Sequence, residues 1–175
     1  RSTVARACVL EGASLVNDIS AGRLDAEMLA TVAGLNVPYI AMHSRGNPQT
    51  MASLTEYSDL LKEVVDHFHQ RLGIMRGMGI KDVIIDPGFG FAKTIAQNFT
   101  LLKNLEYLQI LERPILVGAS RKSMIWKTLS QKPEDALNGT TALNAIALIK
   151  GAGILRVHDV KAAQEVVKLV MAMNG

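Results

Sequence analysis

Five short runs of consecutive apolar residues punctuate the chain: ASLVND at 13–18, VPYIAMH at 37–43, DVIIDPG at 82–88, RPILVGAS at 113–120 and GILRVHD at 153–159. Runs that are apolar on both faces fit strands buried on both sides of a parallel sheet, whereas strict alternation marks a half-exposed antiparallel one. The intervals between them follow the helical period. The clearest stripe, over 54–75, gathers Tyr57, Leu60, Leu61, Val64, Val65, Phe68, Leu72 and Met75 on one face. Ser53 and Glu56 form a capping-box pattern that predicts its start, as Thr94 and Gln97 do for the helix after the third strand. Gly34, Gly79 and Gly151 fall where helix C-terminal caps are expected. A last helix is predicted over 160–173, through Val160, Ala163, Val166, Val167, Val170 and Met173. With a helical segment at the N-terminus (STVARACVLEG), the order is one helix followed by five βα units. That alternation predicts an α/β domain with a parallel sheet, either doubly wound or closed as a barrel.

Composition adds bounds rather than detail. The 175 residues, 49% of them apolar, are enough for one core, so a single domain over 1–175 is expected. The net charge of +3 is carried by scattered Lys and Arg with no basic block, which speaks against a nucleic-acid partner. Cys8 is the only cysteine, so no intrachain disulfide forms; its apolar neighbours predict a small buried hydrophobe, and a cytoplasmic setting fits. No signal peptide and no run long enough to cross a bilayer is visible, so a soluble protein without a membrane role is expected. The chain opens at Arg1 inside a helical pattern, as a piece of a longer protein would.

In parallel α/β folds the strand C-termini carry the ligand-binding loops. Here the five runs end in Asn17-Asp18, Met42-His43, Asp86-Pro87, Ser120-Arg121-Lys122 and Arg156-Val157-His158-Asp159, so each delivers a polar or ionisable group to one rim. Asp18 and Asp159 are expected as helix N-caps, and His67 and His69 as surface residues of the long helix. A metal site from His43, Asp86 and His158 is conceivable on ligand type alone. Asn17 and Asp86 offer an amide and a carboxylate, which match a guanidine-like edge such as the 2-amino/N3 side of a pterin. Lys122, Arg156 and His158 add positive charge for an anionic leaving group, and Arg156 can stack on a ring. Gly88 and Gly90 allow backbone to come close to a flat ligand.

Five ordered motifs, LVNDIS, AMHSRGNPQTM, DPGFGFAKTIAQN, VGASRKSMI and LNGTTALNAIALIKGAGILRVHDV, resemble the dihydropteroate synthase family, and the resemblance runs from near residue 1 to the last helix. It implies a (β/α)8 TIM barrel that joins 6-hydroxymethyl-7,8-dihydropterin pyrophosphate to p-aminobenzoate. The products are 7,8-dihydropteroate and pyrophosphate, in a step of folate synthesis that sulfonamides inhibit. By motif position it implies pterin contacts at Asn17, Asp86 and Lys122, a stacking arginine at Arg156, and a pterin slot lined by Met42 and Gly118. It further implies a pyrophosphate site at Arg156 and His158 with Mg2+, and a p-aminobenzoate side bordered by Phe91, Ser120 and Lys122. Lys122, Arg156 and His158 are the expected catalytic groups, and a homodimer is the expected assembly.

The match also departs from the pattern. Five βα units correspond to the fourth to eighth of the barrel; two loops that carry the metal-linked asparagine and close over p-aminobenzoate have no counterpart in these residues, so no metal ligand is implied within them. The expectation is an N-terminally truncated domain, catalytically weak by itself. Two alternatives stay open: a methyltetrahydrofolate-binding methyltransferase domain on the same barrel, and a non-catalytic pterin-binding fragment.

Overall fold

A computed structural model describes residues 1–175, the side chain of Asn174 apart. Its elements run α1 (Ser2–Leu10), β1 (Val16–Asp18), α2 (Met28–Leu35), β2 (Tyr39–Met42), α3 (Leu60–Gly77), β3 (Val83–Asp86), α4 (Ile95–Lys103), β4 (Leu116–Val117), α5 (Ser123–Trp126), α6 (Leu137–Ile149), β5 (Ile154–Leu155) and α7 (Val160–Asn174). Short 3-10 segments lie at Met51–Ser53, Leu105–Leu111 and Pro133–Asp135. All five expected strands are present. β1, β2 and β3 pair in parallel in that order, and β4 pairs in parallel with β5. The two groups meet where Ile85 bridges Ile115. Each strand therefore lies beside its neighbours in sequence, with no reversal of order. Right-handed crossovers between such strands stack the connecting helices on one face. This is the winding of an α/β barrel rather than of a doubly wound sheet, which needs a switch point.

β2 is buried along its whole length, as a both-face-apolar run should be. α3 ties two core clusters together: Val64 and Phe68 pack with Ile85, Phe89, Leu101, Ile115 and Val117, while Met75 packs with Val32, Tyr39, Ala41 and Val83. Each such side chain contributes roughly 1.5–3 kcal/mol on burial, and together they hold the strand ends that carry the polar rim.

Several local expectations are corrected. The Ser53–Glu56 box does not form; α3 starts six residues later, where Asp59 accepts from the Lys62 N–H. Residues 55–57 are held out of the helix by tertiary contacts: Thr55 O accepts from Gln97 Nε2, Glu56 O accepts from Arg45, and Tyr57 Oη donates to Ala92 O. The Thr94–Gln97 box does form, with both of its reciprocal bonds. Gly34 lies inside α2, whose left-handed cap is Asn36. Cys8 is exposed, because α1 turns it away from the core. Among the described side chains of α7 only Ala163 and Val166 are buried, and Val160 and Met173 face outward.

Candidate functional site

Asp86 ends β3 and is 1% exposed, although a carboxylate at that depth needs partners. One is local: the Gly88 N–H donates to Oδ1 at 2.8 Å. Gly88 has φ +73°, and a Cβ there would lie 2.0 Å from the His43 carbonyl oxygen at the end of β2. What approaches this glycine is thus the neighbouring strand, not a ligand, and the loop folds tightly back over its own carboxylate. Gly90 is likewise turned to the Lys122 side chain.

The second partner comes from the far side of the sheet. Arg156 follows β5, and its guanidinium reaches across β4 to donate from Nη2 to Asp86 Oδ2 at 2.8 Å and from Nη1 to Asn17 Oδ1 at 3.2 Å. Gly118, just past β4, makes that crossing possible: a Cβ on it would lie 2.7 Å from Nη2 and 3.2 Å from Cζ. Three expected site residues, Asn17, Asp86 and Arg156, are therefore joined directly, over Gly118, although they are up to 139 positions apart. Met42, fully buried, sits in register with Asp86 on the adjoining strand.

Beside this trio lies a basic flank. Ser120 Oγ accepts from the His158 N–H at 3.2 Å and pairs with His158 Nδ1 at 2.9 Å. The ring tautomer decides which of the two donates; in the tautomer where Ser120 donates to Nδ1, Nε2 bears the ring proton and can donate to an anion. Lys122 bonds the Phe89 carbonyl and holds its Nζ 4.6 Å from the Phe91 ring centroid. Burial lowers the Lys122 ammonium to about 8, against the pull of Asp86 and with help from Arg156. Arg121, at φ 53°, grips Asp159 with two bonds of 2.9 and 2.8 Å and donates to the Pro133 and Glu134 carbonyls. It ties the loop that carries Lys122 to the one that carries His158. Asp159 serves this tie and gives no side-chain cap to α7.

Sequence reasoning missed Lys93. It is 8% exposed, and its Nζ meets three acceptors: His43 Nδ1 at 2.9 Å, Gly88 O at 3.2 Å and Phe91 O at 3.2 Å. An ammonium has three N–H groups, so the match is complete. Burial pulls Lys93 down to about 7, opposed by the Asp86 carboxylate and aided by Lys122 and Arg45. The clamp fastens the loop holding Gly88 and Phe91 to the end of β2. The available signal was the Lys directly after DPGFGFA, in a segment with little other polarity. His67, expected at the surface, instead stands edge-on to His43 at 4.9 Å with its Nε2 buried and unpartnered.

Two further expectations are corrected. Asp18 caps no helix; it accepts from Ser20 N, Ser20 Oγ, Gly22 N and Tyr39 Oη at 2.6–2.8 Å. His43, Asp86 and His158 do not converge on a metal site, since His43 is turned to Lys93 and His158 to Ser120. Among the described residues no three His, Cys, Asp or Glu side chains are placed to hold a metal ion, so the residues present do not by themselves fit Mg2+.

The site can thus offer a carboxylate and an amide oxygen to a planar donor edge, with a cationic flank next to it. Comparison with known proteins gives that arrangement a context. The family described as "Pterin binding enzyme" matches residues 1–158. The dihydropteroate synthase of Synechocystis sp. is 46% identical over 99% of this chain, which spans 61% of that relative's length. The crystal structure of dihydropteroate synthase from Stenotrophomonas maltophilia with active site-bound imidazole superposes with a TM-score of 0.96 at 35% identity, covering all of this chain and 67% of that one. The Yersinia pestis dihydropteroate synthase in its sulfonamide drug complex does so with a TM-score of 0.96 at 35% identity, covering 99% and 64%. The ordered motifs, the parallel fold and the carboxylate–amide pair at the strand ends agree with these likenesses, and the chain belongs to the pterin binding enzyme family.

Proposed function

We propose that these residues carry the pterin- and pyrophosphate-binding part of a dihydropteroate synthase, which condenses 6-hydroxymethyl-7,8-dihydropterin pyrophosphate with p-aminobenzoate. The observation that carries the reading is the Asp86–Asn17 receptor with a guanidinium already in it. A pterin's 2-amino and N3 groups present the same two-donor edge as a guanidinium, so a pair shaped for one accepts the other. Met42, fully buried in register with Asp86, and Gly118 would line the slot.

In this reading Arg156, His158 and Lys122 meet the departing pyrophosphate, and Ser120 holds the His158 ring for that purpose. The bond between the methylene carbon and the pyrophosphate oxygen breaks, the pterin ring delocalises the positive charge, and the arylamine nitrogen forms the new C–N bond and then loses its proton. No protein nucleophile is required; charge stabilisation and alignment carry the rate. Phe91, with Lys122 above it, offers a face for the aminobenzoate ring. Sulfonamides would compete there, as the sulfonamide-bound Yersinia neighbour supports. Mg2+, assembly as a homodimer and the placement of the five strands as the fourth to eighth of an eight-stranded barrel belong to the same proposal.

The test is a calorimetric titration of the folded chain with dihydropterin pyrophosphate and Mg2+, beside Asp86→Asn checked by circular dichroism. Binding that falls about 100-fold in the variant, the worth of a charge-assisted bidentate contact, is expected. Equal binding by both proteins, or none by either while both are folded, sinks the reading.

A further inference from the structure

We propose that Arg156 is an internal stand-in for the ligand's guanidine-like edge: its guanidinium fills the Asp86–Asn17 receptor until an incoming ligand displaces it, so that binding is an exchange. The proposal rests on the pterin reading for the natural ligand, but its own test needs no pterin.

Three observations carry it. First, Arg156 is the only removable partner of Asp86 among the described residues. The other bond comes from the Gly88 backbone, and the two lysines whose charge Asp86 feels are committed elsewhere, Lys93 to Gly88 O and Phe91 O, Lys122 to Phe89 O. Second, the two ends of the ion pair differ. The Asp86 side chain is 1% exposed and the Arg156 side chain 41%, so the guanidinium can leave for water while the carboxylate cannot. Third, the route is built for it: Arg156 lies flat across Gly118, where any Cβ would stand 2.7 Å from Nη2.

The energetic consequence follows from the cost of an uncompensated buried carboxylate. In the free chain Arg156 prevents that cost. A ligand with two N–H donors on one edge replaces Arg156 bond for bond, so the edge by itself gains little. The gain comes from ring burial and from the released guanidinium, which stays tethered two residues from His158 and can turn to an anionic group on that flank. Edge and anion are thereby coupled: a ligand that has both is favoured over either part by more than the sum of two separate contacts.

The experiment uses Arg156→Ala in the full chain, with guanidinium chloride at low, non-denaturing concentration as the probe and sodium chloride at equal ionic strength as its control. Guanidinium should bind Arg156→Ala at least about tenfold more tightly than it binds wild type, a 1.4 kcal/mol preference, and should restore the melting temperature the substitution lowers. Arg156→Ala combined with Asp86→Asn should lose that response. Equal guanidinium effects on wild type and Arg156→Ala, or a rescue that survives Asp86→Asn, would overturn the proposal. Should Arg156→Ala fail to fold, wild type is titrated with 2-amino-4-pyrimidinone while the Arg156 Nε–H signal is followed by NMR. Release predicts faster exchange of that proton with water, and saturation with the signal unchanged refutes it. Rescue through Asp86 without any affinity for dihydropterin pyrophosphate would leave the stand-in intact and remove the pterin reading; pterin binding without rescue would do the reverse.

Discussion

Asp18 and Asp86 end the two strands that flank β2, both at the C-terminal end of the parallel sheet and each followed by a tight turn. Their surroundings are opposite. Asp18 is saturated by neutral donors fixed to the fold: two backbone N–H groups, the Ser20 hydroxyl and the fully buried Tyr39 hydroxyl. Asp86 has one backbone donor and one long, half-exposed guanidinium. A carboxylate whose donors cannot move is part of the scaffold; one whose main donor can leave is a receptor. The position at a strand end is shared, and the identity of the donors separates the roles.

The largest effect expected from that contrast is on stability. Asp18→Ala strands four donors, and partial access to water recovers some of them, so a loss of about 3 kcal/mol is expected at neutral pH. Asp86→Ala frees Arg156 to solvent and leaves only the Gly88 N–H without its acceptor, so it should cost about 1–2 kcal/mol. Urea unfolding with matched m-values measures both. If Asp86→Ala costs as much as Asp18→Ala, Asp86 is scaffold too and the contrast collapses.

The contrast also marks what was legible. The five strands were, because an apolar run on both faces has few other ways to be buried, and so was the Thr94–Gln97 box, whose partners are three residues apart. The start of α3 was not: Gln97 and Arg45, distant in sequence, hold residues 55–57 out of the helix, so the Ser53–Glu56 pattern does not form. At the site, residue types at the strand ends indicated which groups would be present. Which of them would touch was beyond reach, since Arg156 to Asp86 and Lys93 to His43 are pairings across 70 and 50 positions. For the same reason Asp18 read as a cap, its decisive Tyr39 donor lying 21 positions away.

A middle-sized effect concerns the loop that Lys93 fastens. Lys93→Met leaves three acceptors without their donor, so protection of the Gly88, Gly90 and Phe91 amides against hydrogen exchange should fall about tenfold at neutral pH. Their partners are Asp86, Asn98 and Gly88. The pH dependence has a definite sign. Lys93 sits at about 7 in the closed loop against an ordinary 10.5, so opening takes up a proton between those values. Opening therefore becomes harder as pH rises from 7 towards 10.5, by at most about tenfold in protection per unit, after correction for the intrinsic exchange rate. Below 7 the full burden of the buried ammonium is present and the trend is flat. Lys93→Met should show no such rise; if it does, another group is titrating.

The smallest effect returns to Asp18 and removes only one of its donors. Tyr39→Phe deletes the hydroxyl at 2.6 Å while keeping the ring in the core, and should cost about 1–2 kcal/mol at pH 7, since the acceptor is charged. Burial alone would raise the Asp18 carboxyl, but the bonds from Tyr39, Ser20 and Gly22 outweigh it and hold it below 3.8. A depressed carboxyl stabilises the fold fully above its unfolded value and loses that contribution as pH falls through the folded one. The penalty of Tyr39→Phe should therefore be constant from pH 7 down to about 5 and shrink as Asp18 protonates at more acid pH. The same substitution should leave the affinity of the Asp86 receptor for its ligand unchanged within about twofold, because Tyr39 donates to the scaffold carboxylate and to no part of the receptor. A change in that affinity equal to the stability loss would show that the two carboxylates act as one network through β2.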